Sequence, residues 1–217
     1  MRKAMKVLGF VVLGGLGLAA VAAGAWWYNT NNVEHPKYAV VTQDGAIELR
    51  DYPALIVAEV VRRGDRRAAV RAGFSPLANY IFAKERERQS IAMTAPVTQT
   101  REKIAMTAPV TQARTGEGDT WVVRFIMPSE YALEDLPLPT NADVSLKPVP
   151  PVRRAAIRFS GVATDSLIAE QEARLLAWLE QQGLTPQGSP TYAYYNDPFT
   201  PGPLRRNEVM VELSTEG

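Results

Sequence analysis

The sequence predicts an α+β domain of two similar halves behind one N-terminal membrane-spanning helix. Three observations predict it. A basic start is followed by a long uncharged apolar run. Strand and helix signals then come in the order strands, helix, strands, and the same order repeats once. The long strand-only stretches do not fit the regular strand–helix winding of a parallel sheet. A length of 217 residues suits one domain with an appendage.

The appendage comes first. Arg2, Lys3 and Lys6 precede residues 7–27, which carry no charge. A spanning helix needs about 20 apolar residues, whereas the apolar core of a signal peptide has about 7–15. Trp26, Trp27 and Tyr28 form the aromatic cluster expected at a membrane–water boundary. Residues 1–28 therefore read as an anchor in the cytoplasmic membrane, with its basic end inside and the rest of the chain on the extracytoplasmic (periplasmic) side. The competing reading is secretion after cleavage at Ala25, because Ala23-Gly24-Ala25 resembles a small-x-small signal site. Gly15, Ala19 and Ala23 have the small-xxx-small spacing of paired membrane helices, a weak signal. Residues 29–35 read as a linker and residues 36–213 as the domain.

Within the domain, residues 38–41, 46–50 and 54–61 are β-rich, and Asp44-Gly45 supplies a hairpin turn between the first two. Asp65 is a candidate N-cap for a helix with Val70, Phe74, Leu77 and Ile81 on its apolar face and Gly73 beside them. Pro76 falls inside that pattern, where it removes a hydrogen bond and favours a kink. Residues 121–127, 142–147 and 155–160 are again strand-like. Thr164 or Asp165 caps a second helix through Ile168, Leu175, Leu176 and Leu179, which stops at Gly183. Residues 188–195 and 208–213 close the chain as strands around a Pro-rich loop.

One repeat is literal. IAMTAPVTQ occupies residues 91–99 and again 104–112. Alternation makes each copy a strand with one buried face, and Pro96 and Pro109 demote each to an edge strand or bulge. The simpler reading is two strands of a local hairpin. The functional one turns Met93 or Met106 towards a ligand.

Composition narrows the chemistry. Lys+Arg number 24 against Asp+Glu 23, so no strongly basic surface awaits nucleic acid. With no cysteine, thiol catalysis, disulfides and Cys-based metal sites are excluded. The one histidine, His35, stands beside Pro36 at the end of the linker and reads as a solvated lead-in residue. No nucleophile–histidine pair, glycine-rich phosphate loop or metal-ligand spacing occurs in the domain, so an enzyme is the weaker reading.

Six segments taken together resemble the SOUL haem-binding family. They are IELRDYP at 47–53, Phe74 with YIF at 80–82, KIAMTAPV at 103–110, FIMP at 125–128, FSG at 159–161, and Tyr195 followed by Pro198 and RRNEV at 205–209. The resemblance covers about residues 36–213. It implies a distorted antiparallel β-barrel-like sheet with two flanking helices, similar to effector-binding domains of bacterial transcription activators. It also implies reversible binding of haem or another tetrapyrrole in a shallow apolar groove between the first helix and the Pro-rich loop. Carried to this chain, the helix side of the groove is Phe74, Leu77 and Ile81. The loop side is Tyr195, Pro198, Phe199 and Pro201, with Arg205 and Arg206 where guanidinium forks can meet haem propionates. Some members have a histidine before the Tyr of the R-x-Y motif, where this chain has Asp51. Haem iron is then left to Tyr195, Met93, Met106 or no protein ligand.

These observations imply a membrane-anchored binding module for haem or a similar flat amphipathic molecule, acting in buffering, carriage or delivery. The alternative is a sensor or interaction domain that takes other amphipathic small molecules in the same groove. A third reading is an unrecognised hydrolase or haem-modifying enzyme.

Overall fold

The computed structural model describes residues 34–82, 107–115, 119–197 and 199–214. The anchor, the first IAMTAPVTQ copy with Met93, and also Met106 and Pro198, lie outside the described residues. Among the described residues no helix is long and apolar enough to cross a membrane.

Short-range rules set the elements. Strands β1 (Ala39–Asp44) and β2 (Ile47–Tyr52) form a hairpin, and Gly45 takes the left-handed φ of 58° that the turn requires. Strand β3 (Leu55–Arg63) leads to helix α1 (Arg66–Ile81), whose first turn is capped where Asp65 Oδ1 accepts the Ala68 N–H at 2.8 Å. The helix runs unbroken through Pro76. Its orphaned acceptor is the Ala72 carbonyl, four residues back, and the Arg62 guanidinium donates there at 3.4 Å. Strands β4 (Val110–Arg114), β5 (Thr120–Ile126), β6 (Ser145–Val149) and β7 (Val152–Phe159) follow. Helix α2 (Asp165–Gln181) is capped by the Thr164 hydroxyl, and Gly183 beyond its end adopts a φ of 67°. Strands β8 (Pro186–Tyr194) and β9 (Asn207–Leu213) complete the chain.

All nine strands share one antiparallel sheet in the order β1-β2-β7-β9-β8-β4-β5-β3-β6. The barrel-like expectation needs correction. Strand β1 pairs only with β2 and β6 only with β3, so the sheet is open. The order also explains the two halves. Strands β4-β5-β3 lie together with α1 and β8-β9-β7 with α2, while β2 of the first half and β6 of the second each pair at the edge of the other half. That exchange ties the halves into one sheet.

The repeat is corrected as well. Val110, Thr111 and Gln112 pair with β5 on one side and β8 on the other, so β4 is a central strand and these residues have no side left for the first copy. Pro109 sits one residue before this ladder begins, so its missing N–H costs the sheet nothing.

Both helices pack on one face. Val110 and Gln112 lie opposite Tyr194 and Tyr192 on that face, which joins a core under α1 to a core under α2. The first is built on Leu77, Ile81, Val60, Val123 and Phe125, the second on Ile168, Leu175, Leu179, Ile157 and Val209. Each fully buried side chain of this size contributes about 1.5–3 kcal/mol.

Candidate functional site

The loop between β8 and β9 is held in place by its own polar groups. The Asp197 carboxylate accepts the Phe199 N–H at 2.7 Å, the Thr200 N–H at 3.0 Å and the Thr200 hydroxyl at 3.2 Å. Arg205 Nε donates to the Thr200 carbonyl at 2.7 Å, and the Arg206 N–H to Asn196 Oδ1 at 2.6 Å. Gly161 N–H reaches the Gly202 carbonyl at 2.9 Å, and Asn207 Nδ2 reaches the Gly161 carbonyl at 3.0 Å. With its backbone so fixed, the loop turns apolar side chains outward. Phe199 is 88% exposed and Leu204 64%, and Val162, on the adjoining turn, is 54% exposed.

Beneath this loop lies a buried charge network on the sheet face away from the helices. Glu208 on β9 accepts from Arg50 Nη1 at 2.7 Å and Nη2 at 3.0 Å, a bidentate pair spanning β7. It also accepts the Tyr195 hydroxyl at 2.7 Å and two Arg206 nitrogens at 3.0 and 2.7 Å. Arg50 and Glu208 are each 1% exposed. The small Ala156 and Ala193, fully buried on the same face, leave room for these long side chains. Burial pushes the Glu208 carboxyl up, but the hydrogen bonds and charges of Arg50 and Arg206 outweigh it and hold the group below its ordinary value. The Arg206 guanidinium lies over the Tyr195 ring, 4.0 Å from its centroid, and Arg50 lies 4.4 Å from that of Tyr38.

The residues expected on the helix side divide. Leu77 and Ile81 are core side chains, 0% and 1% exposed, under β3 and β5. Phe74 is 40% exposed and packs edge-on against Phe125, with ring centroids 5.2 Å apart. On the loop side, Phe199 and Pro201 are exposed, and Arg205 and Arg206 are half-buried. Tyr195 belongs to the network. Burial and the Glu208 charge push its hydroxyl far above the ordinary value, which opposes the phenolate that an iron ligand requires. Glu208 was not among the residues expected in the site. The partnership with Arg50 was missed; the available signal was the alternation of Glu48, Arg50 and Tyr52 on one face of β2.

His35 also lands here. It is exposed, and its ring lies 5.6 Å from that of Tyr195, centroid to centroid. Two surface clefts of about 350 and 590 Å³ lie elsewhere, the first beside Arg66, Trp121 and Tyr192, the second beside Tyr52, Arg153 and Leu184. Among the described residues no group of three or more His, Asp or Glu side chains could hold a metal ion.

Interleaved halves and two helices on one face define a small α+β domain, with an ordered apolar loop above a buried charge network. The same architecture is found in the C-terminal domain of EcmrR, at a TM-score of 0.53 and 14% identity over 82% of this chain and 98% of that one. It is found also in a hydrolase from Listeria innocua, at 0.51 and 14% over 80% and 94%. At such identities the likeness is one of fold alone. The sequence profile of the SOUL heme-binding protein family matches residues 33–212, and the chain belongs to that family. Its relatives include heme-binding protein 2 of Homo sapiens, 30% identical over 72% of this chain and 73% of that protein. The Mus musculus protein of the same name is 29% identical over the same shares.

Proposed function

We propose that this chain is a haem-binding module, held at the outer face of the cytoplasmic membrane by residues 1–28 and serving to buffer, carry or deliver its ligand there. The observation that carries the reading is the rigid loop with Phe199, Leu204 and Val162 facing solvent, in a chain of a haem-binding family. Haem is a flat apolar ring edged by two carboxylates, and its iron supplies a site for an axial ligand. The residues fit such a group. The exposed apolar side chains offer a surface for the ring, and Arg205 and Arg206 at the foot of the loop offer guanidiniums for the carboxylates. Arg206 remains within its ion pair with Glu208, so it acts through the face and edges that this bond leaves available. The uncharged run of residues 7–27 between basic residues and Trp26-Trp27-Tyr28 supports the anchor.

The test is a haem titration of the full chain in detergent, followed by Soret absorbance, with iron-free protoporphyrin in parallel. Saturation at one equivalent is expected. Replacing Phe199 and Leu204 together by Ala removes two contact side chains and lowers affinity at least about tenfold, since about 1.4 kcal/mol is a factor of ten. Unchanged affinity in that variant refutes the loop as the site. Failure of both porphyrins to bind transfers the loop to other amphipathic small molecules.

A further inference from the structure

The segment that leads into the domain is docked against it. Glu34 accepts the Ala108 N–H on its carbonyl at 3.0 Å and the Ser129 N–H on Oε1 at 3.1 Å, and it forms a parallel bridge with Thr107. These bonds fix the residue that follows. His35 stacks at a tilt of 38° on Tyr195, whose own N–H donates to the Arg206 carbonyl at 3.2 Å and so closes the foot of the apolar loop.

We propose that His35, the chain's one histidine, is the protein ligand to haem iron. The inference rests on the haem reading above and extends it to a residue outside the family's motif positions. Two features of its placement support it. The ring is exposed, so iron can approach. It is also held against Tyr195, 5.6 Å between ring centroids, at the foot of the apolar loop.

The described competitors are poorly placed. The Tyr195 hydroxyl is committed to Glu208. Met127 and Met210 are 4% and 3% exposed, and the Met210 sulfur already receives the Tyr52 hydroxyl. The chain has no cysteine.

The experiment compares wild type with His35→Ala as the full chain in detergent. Each is titrated with ferric haem and with iron-free protoporphyrin, and the haem complexes are examined by Soret absorbance and electron paramagnetic resonance. Expected for His35→Ala are a loss of the histidine-ligated spectrum, haem affinity at least about tenfold lower, and recovery of the spectrum on adding imidazole. Binding of the iron-free ring should be unchanged. Identical haem spectra and affinity in the two proteins overturn the assignment and leave the haem reading standing. An equal loss for both porphyrins also overturns it, because His35 would then act by packing. If neither porphyrin binds the wild type, the haem reading fails and this assignment fails with it.

Discussion

Replacing Glu208 by Gln tests whether the buried network holds the loop in place. The native carboxylate takes five hydrogen bonds, two from Arg50, two from Arg206 and one from Tyr195. A neutral amide offers one accepting oxygen, and its N–H groups face guanidinium donors. Arg206 can turn towards water, since its side chain is 24% exposed, but Arg50 at 1% cannot. Removing one partner of a buried ion pair costs about 3–5 kcal/mol. At about 2–4 °C per kcal/mol for a domain of this size, Tm should fall by about 6–20 °C. Thermal and urea unfolding followed by circular dichroism measure this directly. The sign of the pH dependence follows from the lowered folded pKa. The stabilisation by Glu208 is fully present above the ordinary value of 4.5 and is lost as pH falls through the lower folded value. The wild-type and Glu208→Gln stability curves should therefore converge below pH 4.5. Replacing the pair together, Arg50→Met with Glu208→Leu, should recover much of the loss, because the unpaired charge is gone. A loss below about 1 kcal/mol at neutral pH, or curves that stay parallel into acid, would refute the reasoning.

Two further outcomes are expected. Gly73→Ala should destabilise the protein although it lies in mid-helix: an added Cβ would sit 2.8 Å from Val123 Cβ and 3.1 Å from Val60 Cγ2. The overpacking penalty of about 1–3 kcal/mol exceeds the helix-propensity gain of about 1 kcal/mol, so a rise in Tm would refute the close approach of α1 to the sheet. His35 should give one imidazole signal by nuclear magnetic resonance, titrating below 6.5 and moving upward in Arg206→Ala, where the second-largest cause of the shift is removed. Titration at or above 6.5 in the wild type would contradict its docking on Tyr195.

Much of the local structure was legible because its causes lie within a few residues. Asp65 and Thr164 cap their helices, and Gly45 and Gly183 take the left-handed conformations their turns demand. Pro76 misled a purely local reading, because the group that meets its orphaned acceptor is Arg62, on the strand before the helix. Pro109 misled in the opposite way: proline is excluded from a central ladder, but not from the position just before one.

The candidate site divides along the same line. Phe199, Pro201, Arg205 and Arg206 became candidates through motif order, and the structure adds that Asp197 and Thr200 tie their loop together. Leu77 and Ile81 have the spacing of an apolar helix stripe, which leaves open whether that stripe meets a ligand or a sheet; the packing of α1 on β3 and β5 turned both inward.

By itself the sequence determined the α+β class, the repeated strand–helix–strand order and the approximate place of most elements, since hydrophobic period, caps and turns act over short distances. Only the tertiary structure decided that the sheet stays open, that each half lends a strand to the other, and that Arg50 meets Glu208 from 158 residues away. It also brought His35 from the linker onto Tyr195. Such partners are chosen by strand order and by which side chains fit across a buried face, and neither is encoded in the spacing of residues along the chain.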